Sequence, residues 1–330
     1  MSHMKAVWYE RQGAARDVLT IGEMAIPAPG PGEVQVRVMA SGINPVDVKT
    51  RAGTRGPMPF PRQIPHFDGA GIIEAVGRGV RKDRVGERVW LHSAAYKRPM
   101  GTAAQYCAVP TGYALPLPET TSFAEGACLG VPALTAHRAV HVGGPIRGQT
   151  ILVTGGAGAV GGYAIQFAKD GGAHVISTIS SAEKAGLARS FGADHTINYK
   201  TENVVERIME LTRGAGVDRV VEVEFGGNIH TNLAILKMNG SIAAYASMAA
   251  PEPKIPYYGL QMRGINMHLV FVFGMPAEPL RRASRDVSRL LQAGKLHHYV
   301  PHRYPLADAV RAHEAVENAA TGNVVLEIAS

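Results

Sequence analysis

The chain has 330 residues, 46% apolar and 18% charged, which excludes a disordered polyelectrolyte and allows about two domains at roughly 150 residues each. Two cysteines, Cys107 and Cys128, are too few for a disulfide framework or a four-cysteine zinc lobe. Formal charge is +7, yet the bases are scattered rather than blocked, and no stretch approaches the roughly 20 apolar residues of a membrane helix.

Met1-Ser2-His3-Met4 reads as an expression scar, so the natural protein is expected to begin at Met4. No signal peptide is legible after it, which makes the cytoplasm the default location. The first third reads as short strands and turns. Pro27–Gly32 is a loop signal, and Val34–Val38 alternates with period two, as a half-buried strand does. Gly69–Val76 is a further apolar run, and Gly86–Trp90 begins another strand.

Near residue 122 the pattern changes. Phe123–Leu129 and Leu134–Val142 read as helices, Ile151–Thr154 as a buried strand and Val160–Asp170 as an amphipathic helix. His174–Thr178 (strand), Glu183–Phe191 (helix), Val217–Val223 (strand) and Ser241–Ala246 (strand) follow. This β-α-β-α order predicts an α/β fold with a parallel sheet covered by helices on both faces. Pro279–Ala293 reads as an amphipathic helix ended by Gly294, and Asn323–Ile328 as a last strand.

Between the strand at 151 and the helix at 160 lies G-x-G-x-x-G, at Gly156, Gly158 and Gly161. Such a turn binds a dinucleotide: the first glycine serves the tight turn, the second admits a phosphate to the backbone, and the third packs helix on strand. Backbone N–H groups from Gly156 through Ala157, Gly158, Ala159, Val160 and Gly161 would face the pyrophosphate. The alternative is a glycine loop without a ligand; the flanking strand, helix and second strand favour the site.

The end of the second strand selects the nucleotide. An NAD site places Asp or Glu about 20 residues past the motif, on the ribose 2′-OH. Here His174–Thr178 is followed by Ile179-Ser180-Ser181, and no carboxylate precedes Glu183. Ser180, Ser181 and Lys184 suit a 2′-phosphate instead, so the expected cofactor is NADPH. Ser181 also reads as the cap of the next helix, and Lys184 as a solvated helix residue.

Several motifs together resemble the zeta-crystallin-type quinone oxidoreductases, in the zinc-free branch of the medium-chain dehydrogenase/reductase superfamily. They are Gly42-Ile43-Asn44-Pro45-Val46-Asp47 with Arg51 and Gly53, Asp68–Gly71 through Val76-Gly77, and Gly86–Val89. Gly130–Ala136, the glycine turn, Phe191–Asp194 and Ile197–Tyr199 complete the set, which spans nearly the whole chain. The resemblance implies a GroES-like, mostly-β catalytic domain (4–125 and 270–330) interrupted by a Rossmann NADP-binding domain (126–269), with the active site in the cleft between them. It places Tyr199 with Lys184 beside the 2′-phosphate, and Asn44 and Thr135 near the nicotinamide. Phe271 and Phe273 would pass the carboxamide and form a homodimer edge. Asn323 stands where relatives often carry a lysine facing the cofactor.

The residues also read on their own terms. Asn44-Pro45 is a good helix start, and Asp47 would favour the helix dipole. Asn44, Asp47 and Arg51 share a helical face, which leaves a cleft-facing polar triad and a capped surface helix both open. Thr135 is by default a packed helix residue. Zinc enzymes of the superfamily carry cysteine at the position of Asn44 and His-Glu at Phe67-Asp68; neither Asn44 nor Phe67 is a zinc ligand of quality, and His66 is out of register, so no metal is expected.

Without a metal, the acceptor must take hydride without strong Lewis-acid help, as a quinone or a carbonyl-conjugated alkene does. Asn44 would hydrogen-bond its oxygen, with Asp47 and Thr135 as further catalytic candidates. Lys49 and Arg55 occupy positions where quinone-type relatives often have tyrosine, which keeps an alkenal, enone or enoyl-thioester reductase open. A third reading, a non-catalytic NADPH-binding protein contacting nucleic acid, rests on Arg281, Arg285 and Arg289 along one helical face; a solvated amphipathic helix explains that row more simply. His297, His298 and His302 read as surface residues near a turn.

Overall fold

The computed structural model describes residues 2–328; Met1, part of the expected scar, lies outside the described residues. The chain divides into two compact units, Met1–Pro132 with Ser284–Ser330, and Ala133–Ala283.

The first unit is built on a seven-stranded sheet. Its order is His302–Pro305, Val324–Glu327, Glu33–Ile43, Asp68–Val76, Arg88–Leu91 and Ala114–Pro116, with Tyr106–Pro110 also paired to Glu33–Ile43. Alternation drives the central strand: Val34, Val36, Val38 and Ala40 point into the core. The strand runs on past the expected Val38 to Ile43. Its last part is buried on both faces, so the period-two signal disappears. At Gly42 a Cβ would stand 2.0 Å from the Ala127 carbonyl oxygen, so only glycine lets the strand continue there.

Ser122 caps the helix Phe123–Gly126 through a reciprocal capping box with Glu125. This helix stops short of the expected Leu129, and Leu129–Ala133 winds as a π-helical turn. Pro132 lies inside that turn and has no N–H to offer an α-helical ladder. Helix α1, Pro45–Ala52, begins at Asn44 and ends at Gly53 with φ +87°.

The second unit carries six strands: β1 Thr150–Val153, β2 His174–Ile179, β3 His195–Asn198, β4 Val217–Glu222, β5 Leu236–Ala244 and β6 Asn266–Leu269. Their order in the sheet is 3-2-1-4-5-6 and each pairing is parallel. That is the doubly wound Rossmann order, with its switch point between β1 and β4. Helices α2 (Leu134–His141), α3 (Ala159–Asp170) and α4 (Ala182–Ser190) belong to this unit. β5 starts at Leu236 rather than at Ser241. A register shift opposite Val217–Arg219 and a positive φ at Asn239 (+61°) interrupt its first half, where the sequence shows no strand pattern.

The helix Ala277–Gln292 buries Ala283, Val287, Leu290 and Leu291 and exposes Arg281, Arg285 and Arg289. The arginine row is therefore the solvated face of an amphipathic helix. His298 departs from the surface reading: it is half-buried, and burial pushes its pKa down to about 4. Among the described residues no helix is long and apolar enough to cross a membrane.

His66 and His313 are buried in the first unit, 1% and 0% exposed, with Nε2 atoms 2.9 Å apart. Ser41 Oγ contacts His66 Nδ1 at 2.8 Å. Burial pushes His66 down to about 3, and burial with the His66 and Arg51 charges pushes His313 well below its usual value. A depressed histidine contributes stability above its unfolded pKa of 6.5, lost as pH falls towards the folded value. We expect His313→Gln to reduce the loss of unfolding free energy on acidification below pH 6.5 by up to about 1.4 kcal/mol per pH unit. Denaturant melts of wild type and variant between pH 7 and 5 check this; parallel curves would reject it.

Candidate active site

The glycine turn leaves the carboxyl end of β1. Thr154 is buried; its Oγ1 donates to Glu222 Oε1 at 2.8 Å and accepts from Val223 N at 2.9 Å. Gly155 N donates to Thr178 Oγ1 (3.1 Å) and Gly156 N to the Thr178 carbonyl (3.2 Å), tying the turn to β2. The left-handed residue is Gly155, φ +67°, and not Gly156, to which the motif assigns the tight turn. Gly156 is required for close approach instead: a Cβ there would stand 2.0 Å from Ser177 Oγ on β2. At Gly161 a Cβ would meet the Gly155 carbonyl oxygen at 2.2 Å, the helix-on-turn contact the motif implies.

Gly158 caps α3 and has no side chain to close the first turn. The first N–H groups of a helix lack intrahelical partners, so those of Ala159, Val160 and Gly161 are available to an anion. A Cβ at Gly158 would be 3.2 Å from the Gly155 carbonyl, tight but not prohibitive.

β2 ends at Ile179. Tyr199 N donates to the Ile179 carbonyl (3.1 Å), which puts this residue, 54% exposed, beside that strand end. Ser181 caps α4, its Oγ accepting from Lys184 N at 3.3 Å. The cap reading of Ser181 therefore holds, and Ser180, Ser181, Lys184 and Tyr199 gather at the ends of β2 and β3. No Asp or Glu stands between Ile179 and Ala182.

In the first unit, Asn44 N donates to Asp47 Oδ2 at 2.7 Å, half of a capping box. Asp47 Oδ1 accepts from Phe67 N at 3.2 Å. Asp47 and Arg51 are buried, so the open alternative of a solvated surface helix fails for that face. Arg51 Nη1 holds the Gly13 carbonyl at 2.8 Å and Nη2 pairs with Glu317, which leaves Arg51 a structural role. Burial raises the Asp47 carboxyl to about 7, against the hydrogen bonds from Asn44 and Phe67 that lower it.

Asp68 is a residue the sequence reading passed over. Its Oδ2 accepts from Asn44 Nδ2 at 2.9 Å and from Val131 N at 2.7 Å. Its Oδ1 is buried without a hydrogen-bond partner and lies where a Cβ on Gly130 would clash at 2.0 Å. Burial first, then the Asp47 charge, raises its pKa well above the usual range, against the Val131 bond. The carboxyl thus fixes which end of the Asn44 amide turns inward, and the Asn44 side chain also bonds the Asp47 carboxyl. The signal available was a carboxylate next to a glycine run; nothing in its spacing revealed burial. Glu222, at the end of β4, was missed likewise: it accepts from Thr154, Glu224 N, Asn228 and Asn232 and braces the glycine turn from behind.

Thr135 is buried in the first turn of α2, near which the turn Val272–Gly274 packs. Phe271 and Phe273 form an edge-on pair, centroids 5.6 Å apart, just past β6. Asn323 is held by the Tyr299 carbonyl through both N (3.1 Å) and Nδ2 (3.0 Å). It adjoins the Val324–Ile43 pair, so the register brings it to the strand end that leads into Asn44.

The family described as "Alcohol dehydrogenase GroES-like domain" matches residues 30–119, and that described as "Zinc-binding dehydrogenase" matches residues 159–291. A quinone oxidoreductase of Pseudomonas aeruginosa is 31% identical over 315 residues, 94% of this chain and 95% of its own. A 2-haloacrylate reductase of a Burkholderia species is 30% identical over 333 residues, 98% of each chain. The crystal structure of an Escherichia coli quinone oxidoreductase complexed with NADPH superimposes with a TM-score of 0.86 at 28% identity, covering 98% of this chain and 99% of that one. The first unit is thus GroES-like and the second Rossmann-like.

The three glycines separate by what surrounds them. Gly161→Ala and Gly156→Ala should each cost about 1–3 kcal/mol through overpacking, while Gly158→Ala should cost markedly less. Thermal or denaturant melts test the order; equal losses at all three positions would contradict it.

Proposed function

Because the chain belongs to the zeta-crystallin-type quinone oxidoreductases of the medium-chain dehydrogenase/reductase superfamily, we propose that it is an NADPH-dependent reductase that passes hydride to a quinone without zinc. The observation that carries the cofactor choice is the end of β2, where serines and Lys184 stand in place of a ribose-binding carboxylate. The uncapped start of α3 at Gly158 fits the pyrophosphate. NADPH, when bound, supplies the hydride.

The chain's own groups do the rest. Ser180, Ser181, Lys184 and Tyr199 would hold the 2′-phosphate, and Phe271, Phe273 and Asn323 complete the proposed cofactor contacts. The Asn44 amide, its direction set by Asp68, would bind the acceptor oxygen. Asp47 holds the Asn44 backbone. Thr135 is the third residue proposed to serve the reaction. Zinc does not fit this residue set: the Asn44 amide is committed to Asp68 and Phe67 offers no donor. A homodimer through β6 accords with that strand's place at the sheet edge and with exposed Met267 and Leu269 on it and Phe271 just past it.

A second reading, reduction of a carbonyl-conjugated alkene, is favoured by the 2-haloacrylate reductase and by Lys49 and Arg55, which suit an anionic acceptor.

Steady-state kinetics test the cofactor. We expect higher kcat/KM for NADPH than for NADH, with Lys184→Ala losing about 10- to 100-fold for NADPH alone. An equal loss for both nucleotides would refute the phosphate role. For the acceptor, NADPH oxidation is compared across benzoquinones, conjugated enones and enoyl thioesters in the presence of a chelator. Quinone turnover should exceed the others and survive chelation; turnover confined to enones would move the assignment to the second reading.

A further inference from the structure

We propose that the second unit carries an oxyanion-binding site around Arg219, at the amino-terminal edge of its parallel sheet, sized for a small phosphate or carboxylate. A cavity of about 320 Å³ opens there, lined by Asp218, Arg219, Lys237, Ser241, Asn266 and His268. Small-molecule sites begin near that volume, at roughly 300 Å³. The lining residues named lie on β4, β5 and β6, with Asp218, Arg219, Lys237 and Asn266 in the first halves of their strands. The glycine turn leaves the opposite, carboxyl-terminal edge, where doubly wound sheets bind their nucleotides. The interrupted start of β5 opens this edge: Lys237, Asn239 and Gly240 lie in the stretch where the β4–β5 register shifts.

Arg219 supplies the reason for a ligand. The residue is 2% exposed. Its Nε donates to Ser241 Oγ at 3.0 Å and its Nη1 to the Val140 carbonyl. Beside Nη2 lies the Cα of Gly143, where a Cβ would approach to 2.5 Å. The acidic group acting on Arg219 is Asp218, and it is already engaged: Lys237 Nζ holds both its oxygens at 2.9 Å and Thr150 N donates to Oδ2 at 2.7 Å. Among the described residues no carboxylate lies within ion-pair distance of the guanidinium. Lys237 and Asp218 cancel, and burial with the Arg219 and Arg138 charges holds His268 below its usual pKa. One positive charge is therefore left buried and uncompensated, an arrangement that folding disfavours unless an anion meets it. The guanidinium N–H groups left by the bonds to Ser241 and Val140, with Asn266 and His268 also on the lining, suit the oxygens of a phosphate or a carboxylate.

The test is calorimetric titration of the full chain with inorganic phosphate and, separately, malonate, alongside melting curves. We expect a saturable site that raises the melting temperature. Arg219→Gln should weaken it at least about tenfold, the loss of one charge-assisted contact. Met238→Glu, at a residue 62% exposed on the cavity lining, should weaken it equally and keeps the proposal testable if Arg219→Gln does not fold. Lys184→Ala, at the nucleotide edge, should leave this affinity intact. The stronger of the two probes identifies phosphate or carboxylate as the natural group. Absence of saturable binding, binding that survives both Arg219→Gln and Met238→Glu, or binding abolished by Lys184→Ala would overturn the proposal.

Discussion

One steric constraint organises the nucleotide-binding unit: the turn after β1 must lie against β2 and under α3 with no side chain between. Gly156 meets Ser177, Gly161 meets the Gly155 carbonyl, and Gly155 alone takes the left-handed backbone. Thr178 and Thr154 then hold the turn by hydrogen bonds, and Glu222 holds Thr154. With the turn fixed in this way, α3 starts at a residue without a side chain, and its first N–H groups face outward unpaired. The anion preference proposed for the site rests on this backbone geometry, and the charged contribution proposed beside it on Lys184, in the first turn of α4 just past the end of β2.

The first unit solves a different problem. It buries Asp47, Asp68, His66 and His313 in one sheet-bound cluster, each neutral or held by N–H donors. Asn44 joins this cluster through its backbone and its amide. A residue that offers a hydrogen bond to an acceptor gains from having its amide fixed beforehand, because orientation is then not lost on binding. Asp68 does that fixing, at the cost of one oxygen left without a partner.

Much of this was legible in the sequence, and for physical reasons. Parallel strands are short apolar runs bounded by turns, so β1, β2 and β4 fell within a residue or so of their expected bounds. Gly156 and Gly161 announced the turn because close approach there admits no other residue. Three things were not legible. The role of Gly155 depends on a dihedral angle, which composition does not encode. The long strand to Ile43 loses its alternation where both faces are covered. Asp68 and Glu222 are carboxylates whose burial is decided by distant segments, Val131 for one and Asn232 for the other.

The central claim is that the end of β2 selects the phosphorylated nucleotide. Its most direct test is the ratio of kcat/KM for NADPH over NADH in wild type and in Ser180→Asp, which restores a carboxylate beside the ribose. The account predicts a ratio above one in wild type that inverts in the variant, through repulsion of the 2′-phosphate and a new bond to the 2′-OH. A wild-type ratio near one, or a ratio unmoved by Ser180→Asp, would contradict it.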